Sequence, residues 1–123
     1  MASIVQLAER VIAAFTHYGC FIFERHELEN VKTLVALSGL GELVEIRLVD
    51  ERYPGIYILT TWTRQIEREC VLKIKELASR SEITSIEYKK YKRELIEQCI
   101  ISKSREHAKK VVEILEDYSR KMK

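Results

Sequence analysis

Side-chain amides are the first scarcity of this chain: Asn30, Gln6, Gln65 and Gln98 are the whole supply in 123 residues. Lysine, arginine, glutamate and isoleucine are abundant instead, the balance of thermophile proteins, where labile amides are depleted and ion pairs are common. Cysteine is sparser still. Cys20, Cys70 and Cys99 are odd in number and far apart, giving neither a disulfide framework nor a CxxC-type metal spacing. Cys70 and Cys99 fall on apolar helical faces, where a free thiol packs as a small hydrophobe. No apolar run approaches the roughly 18 residues of a membrane span. The start of the chain also lacks the basic-then-apolar pattern of a secretory leader. These absences lead us to expect a cytoplasmic protein with reduced thiols and no membrane partner.

Catalytic signatures are missing too. His17, His26 and His107 stand far apart, and none lies at metal-ligand spacing from another. His17 reads as a half-buried residue at a helix end, and His107 as a solvated one. There is no G-x-S-x-G, no phosphate-binding glycine pattern and no paired-cysteine redox site. Glu42, Glu45 and Asp50 could suggest nuclease carboxylates, but the returning strand 56–62 holds no lysine to complete such a centre. We expect no enzyme, no metal and no cofactor.

What is present suits one folded domain. Charged residues make up 33% and hydrophobic residues 46% of the chain, and its length allows one core but not two. The net charge of +2 is too small to argue for nucleic acid by itself. Any basic surface must come from uneven placement.

The stretch 36–62, ALSGLGELVEIRLVDERYPGIYILTTW, organises the rest. A helical pattern stops at Gly39, with Leu40 placed for the hydrophobic contact of a Schellman ending. Val44, Ile46 and Leu48 then alternate, with Glu45 and Arg47 on the other face, and Ile56, Ile58 and Thr60 return. The loop between them is longer than a tight two-residue connection. Its Pro54-Gly55 suits the central positions of a type II turn. Before this hairpin, a helix over about 2–15 carries a capping box at Ser3 and Gln6. A brief strand is expected at Cys20-Phe21-Ile22-Phe23, and a second helix over about 26–38. After the hairpin everything reads helical: 63–79, then 85–101 opened by a Thr84/Glu87 capping box, then a last helix capped by Ser102 or Ser104. The expected fold is α+β and mainly α. A winged-helix-like region occupies 1–62 and a helical dimerisation region 63–123, within one compact domain.

Helix, short strand, helix, hairpin and long helices resembles a winged helix-turn-helix transcriptional regulator of the MarR or PadR type. Leu40-Gly41-Glu42-Leu43-Val44-Glu45 looks like the end of a recognition helix entering the first wing strand. Tyr57-Ile58-Leu59-Thr60 looks like the returning strand. The resemblance covers roughly half the chain and is a pattern of residue types. It implies a small dimeric DNA-binding regulator in which residues 25–33 enter the major groove and 50–55 touch the backbone. Such regulators place three helices before the wing, where this chain shows two.

The residues that could make those contacts are Arg25, His26, Asn30, Lys32, Thr33, Arg52 and Tyr53, all with donors for phosphates or base edges. Three glutamates, Glu24, Glu27 and Glu29, stand among them and would repel phosphate unless they face away. The plainer interpretation is a solvated helix face and a solvated turn. The run Lys89-Lys90-Tyr91-Lys92-Arg93 also has nucleic-acid character. A helix explains it more simply, with Tyr88 and Tyr91 turned inward and Lys90 reaching Glu94. Ala108, Val111, Leu115, Tyr118 and Met122 form a heptad seam. We expect Val111, Leu115, Tyr118 and Met122 to pair across a two-fold axis in a homodimer, with packing inside the chain as the alternative. The alternative function is a non-enzymatic protein-interaction or structural assembly module that binds no nucleic acid. The sequence names no operator, effector or biological process.

Overall fold

In the computed structural model, which describes residues 2–123 and the side chains from residue 4 onward, apolar periodicity is converted into elements almost directly. The order is α1 (Ala2–Tyr18), β1 (Cys20–Glu24), a 3₁₀ turn (Arg25–Glu27), α2 (Leu28–Ser38), β2 (Glu45–Leu48), β3 (Ile56–Thr60), α3 (Arg64–Ser79) and α4 (Ser85–Met122). The fold is α+β and mainly helical, as expected. The Ser3 side chain, on which the expected capping box rests, lies outside the described side chains.

Helix α1 buries Leu7, Ala8, Val11 and Phe15, which recur at helical spacing, and half-buries Ile4 and Ile12 beside them. In β1 the period of two sends Phe21 and Phe23 inward and leaves Ile22 and Glu24 outside. Phe23 stacks on Tyr57 of β3, their ring centroids 5.7 Å apart. The antiparallel sheet has the order β1-β3-β2, so the returning strand of the hairpin is central. Ile22 faces Ile58 on one side of β3, and Arg47 faces Ile58 on the other.

Helix α2 ends as the sequence suggests. Gly39 adopts φ 79°, a left-handed conformation that costs a residue with a Cβ. The Leu40 N–H reaches back to the Val35 carbonyl at 3.1 Å, and Leu40 is fully buried. Two local expectations fail here. Residues 40–43 form a single turn closed by Leu43 N–H on the Leu40 carbonyl, not the end of a recognition helix. Gly55 is not among the positive-φ residues, so Pro54-Gly55 does not make a type II turn. The loop is organised instead by Asp50. Its carboxylate accepts the Arg52 N–H at 2.9 Å and its carbonyl accepts the Tyr53 N–H at 2.9 Å.

The chain divides into two units, the first comprising 1–61 with 105–123 and the second comprising 62–104. The first has a continuous core that joins Val11, Phe21, Leu34, Leu59, Val111 and Leu115. The second is a helical pair around Ile66, Cys70 and Ile100, flanked by Trp62, Ile96 and Cys99. Thr63 caps α3, its hydroxyl accepting the Ile66 N–H at 3.3 Å. Thr84 caps α4 by accepting the Glu87 N–H at 3.1 Å, as its capping box predicts.

Helix α4 corrects the reading of two C-terminal helices. It runs unbroken from Ser85 to Met122, through Ser102 and Ser104. Serine is only mildly unfavourable inside a helix, and no glycine or proline occurs in this span to stop it. Cys70 and Cys99 are also corrected. They are joined by a disulfide, with Cα atoms 5.7 Å apart, rather than lying as reduced thiols. Their wide spacing in sequence hides that each faces inward from a neighbouring helix. Cys20 is the free cysteine, half-buried, and burial pushes its thiol pKa up.

Candidate nucleic-acid interface

A surface that binds a nucleic-acid backbone needs cations free to leave their own acids. The 3₁₀ turn and the hairpin loop are brought together by one backbone bond: Arg25 N–H donates to the Gly55 carbonyl at 2.9 Å. It continues the pairing of β1 with β3, in which Glu24 faces Ile56. Arg25 therefore stands at the root of the loop that carries Arg52 and Tyr53. Among the described residues, the Arg25 guanidinium has no acid partner.

The neighbouring charges are less available. Arg52 donates from Nε and Nη2 to the Asp50 carboxylate at 2.9 to 3.2 Å and lies over the Tyr53 ring, 6.0 Å from its centroid. Those hydrogen bonds hold the Asp50 carboxyl below the usual carboxylate range and raise the Arg52 guanidinium. His26 Nδ1 is 3.4 Å from Glu24, and Lys32 is 3.7 Å from Glu29. The Thr33 hydroxyl donates to the Glu29 carbonyl at 2.8 Å. Glu27 is the acid that does face away. Arg10 of α1 grips both its oxygens, at 2.6 and 3.3 Å, and this hydrogen bonding draws its pKa down against the opposing effect of burial.

Helix α2 buries Val31 and Leu34 and exposes Asn30, Lys32 and Thr33. Two residues along an α-helix are about 200° of rotation apart. Asn30 and Lys32 therefore sit on opposite flanks of the exposed face, and one groove cannot take both head-on. Asn30 and Thr33 share a flank. The structure thus sets Arg25 at the root of the loop that carries Arg52 and Tyr53, places Asn30 and Thr33 on one helical edge, and sets Lys32 apart.

The seam assigned to a dimer is corrected in part. Val111 and Leu115 are fully buried in the first unit's own core, and Tyr118 packs partly against it. Val111 and Leu115 have no surface left for a second copy. Tyr118, half-buried, and Met122, 52% exposed, keep open surface. The basic run on α4 also departs from expectation. Tyr88 is half-buried, but Tyr91 stays 39% exposed. Lys90 lies over the Tyr91 ring at 5.2 Å, and Lys92 over Tyr88 at 5.4 Å, so Lys90 is not paired with Glu94.

Charge is divided unevenly along the chain. Residues 1–61 hold five lysines and arginines against eight acids, whereas 62–104 holds ten against seven. An open groove of about 690 Å³ in the first unit is floored by Phe15, Ala108 and Val112 and rimmed by Arg105 and Lys109. Among the described residues no group of three His, Cys, Asp or Glu side chains could hold a metal ion. Among them, too, no helix is long and apolar enough to cross a membrane. Searches of protein-family models, of curated proteins and of solved structures return no match to this chain.

Proposed function

We propose that this chain binds duplex DNA in the manner of a small winged-helix regulator. The hairpin loop rests on the backbone while the α2 edge carrying Asn30 and Thr33 faces base edges. The observation that supports this most is the Arg25–Gly55 backbone bond, which sets an arginine with no acid partner at the root of the loop that carries Arg52 and Tyr53 while Glu27 is held by Arg10. A phosphate at that place would take Arg25 directly. It would compete with Asp50 for Arg52, whose planar fork suits a phosphate as well as a carboxylate. Tyr53, 64% exposed, offers a hydroxyl to the same backbone. Self-association, in this proposal, uses the exposed end of α4 around Met122.

A second reading is favoured by one specific observation, the acid excess over 1–61. It makes the chain a protein-interaction or assembly module whose hairpin meets another protein.

Titration of the purified protein with mixed-sequence duplex DNA at low and at physiological salt separates the two. Sub-micromolar affinity at low salt that weakens steeply as salt rises is the expected result, with Arg25→Ala reducing the log–log slope by about one. Absence of binding at low salt rejects DNA and leaves the assembly module.

A further inference from the structure

We propose that the main phosphate-binding surface of this protein is the exposed start of α4, residues 85–94, rather than the hairpin loop. This inference rests on the proposed DNA binding and names the surface that supplies its electrostatic part.

From Thr84 to Glu94 every residue is exposed except Tyr88, which is half-buried. A helical segment that is polar all round needs compensating ion pairs or a partner to hold it. This one has no ion pair of its own: among the described residues Lys89, Lys90, Lys92 and Arg93 have no acid within salt-bridge reach, and none is among the residues with further contacts. Four cations in five positions lie well inside one Debye length, about 8 Å at physiological salt, and repel one another. Glu87 and Glu94 flank the run and offset part of that repulsion, but neither closes an ion pair with it among the described residues. Elsewhere in the second unit Arg80 pairs with Glu76, and Lys103 with Glu69 at 3.1 Å, while Arg68, Lys73 and Lys75 of α3 stand apart from one another in sequence rather than in a run.

The chemistry fits a nucleic-acid backbone better than an acidic peptide or an anionic lipid surface. Lys89 and Arg93 are one turn apart on one flank, and Lys90 and Lys92 lie over the Tyr91 and Tyr88 rings. The exposed ring of Tyr91 gives a sugar or base something to pack on. Ile86, 79% exposed, is the one aliphatic side chain that this segment offers outward. A helix lying in a membrane interface needs a whole apolar face. The three-residue excess of base over acid in 62–104, beside the near balance of the first unit, eleven bases against twelve acids, points the same way.

Three forms of the full chain test this: wild type, the quadruple variant K89Q/K90Q/K92Q/R93Q, and the double variant R25A/R52A. Each is titrated with a fluorescent mixed-sequence duplex across a salt series, and in parallel with vesicles of anionic phospholipid. The substituted residues are all exposed, so the helical circular dichroism of each should match wild type. We expect the quadruple variant to lose about tenfold or more in affinity and about three units of log–log salt slope, and the double variant to lose fewer. A quadruple variant that binds like wild type while the double variant does not would overturn this inference and keep the DNA reading on the hairpin loop. Wild type that binds no duplex at low salt would sink both. Vesicle binding without duplex binding would overturn both in favour of a lipid surface.

Discussion

The two units of this chain are held together by different means. In the first, Leu7, Val11, Phe21, Leu34, Leu59, Val111 and Leu115 form one continuous apolar interior drawn from both helices and sheet. In the second, only Ile66, Cys70 and Ile100 are fully enclosed in the cluster, and a disulfide between neighbouring helices supplements them. A two-helix unit buries too little apolar surface to offset its ordering entropy comfortably, so a covalent link contributes where packing cannot. Charge follows the same division. Among the described residues, the well-packed unit pairs several of its charges, as Arg10 with Glu27, although Arg25 there has no acid partner. In the thinly packed one Lys89, Lys90, Lys92 and Arg93 lie together with no acid in salt-bridge reach among those residues. The first unit is near charge balance, eleven lysines and arginines against twelve acids, and the second carries the basic excess.

The sharpest way to break this contrast is Leu115→Ala. If Leu115 belongs to the first core, the variant should lose roughly 2 to 5 kcal/mol in chemical denaturation, and the loss should not depend on protein concentration. A concentration-dependent loss would return Leu115 to a dimer interface. Removing the disulfide comes next. In the chain-entropy account, a link across 29 residues constrains the unfolded chain by roughly 3 to 4 kcal/mol. The double variant Cys70→Ala, Cys99→Ala should therefore melt well below wild type, and thiol titration of the unreduced wild type should find one reactive group, Cys20. Equal melting temperatures would mean the helical pair packs better than its small cluster indicates.

Smaller effects sharpen the same picture. Thr63→Ala removes the cap of α3 and should cost about 1 kcal/mol by thermal melting. A variant as stable as wild type would show that solvent satisfies the Ile66 N–H equally well. Glu27→Gln should cost less than about 1 kcal/mol, because Arg10 is more than half exposed and water screens the pair. Its pH dependence has a definite sign. The folded Glu27 carboxyl lies below its unfolded value, so the pair stabilises the fold above the ordinary carboxylate range and ceases to do so as pH falls through the folded pKa. Wild type and Glu27→Gln should accordingly converge in stability as the solution is acidified. A gap that persists in acid would assign the effect to packing.

Much of the fold could be read in the residues. Alternation located the hairpin, Gly39 located the end of α2, and the Thr84/Glu87 spacing located the start of α4. What could not be read was non-local. That β1 pairs with β3, that Cys70 meets Cys99, and that Val111 and Leu115 return to the core of α1 all depend on partners distant in sequence. Periodicity shows that a face is apolar but not which face it meets. The heptad spacing of α4 fits an intramolecular core as well as a dimer, and that ambiguity produced the wrong partner for Leu115. Ser102 and Ser104 misled for a local reason, since serine caps helices but also continues them. The candidate contacts were visible as residue types. Their ion pairing, which decides how much charge each can offer a phosphate, is a property of side-chain geometry alone.

The measurement closest to the central claim is lysine modification of the full protein, with and without duplex DNA, mapped by mass spectrometry. It reads, residue by residue, where phosphates exclude the reagent. The account predicts that DNA slows modification of Lys89, Lys90 and Lys92 strongly, and that of Lys32, Lys109 and Lys110 less. Equal modification at all six, or protection confined to Lys32, would contradict it.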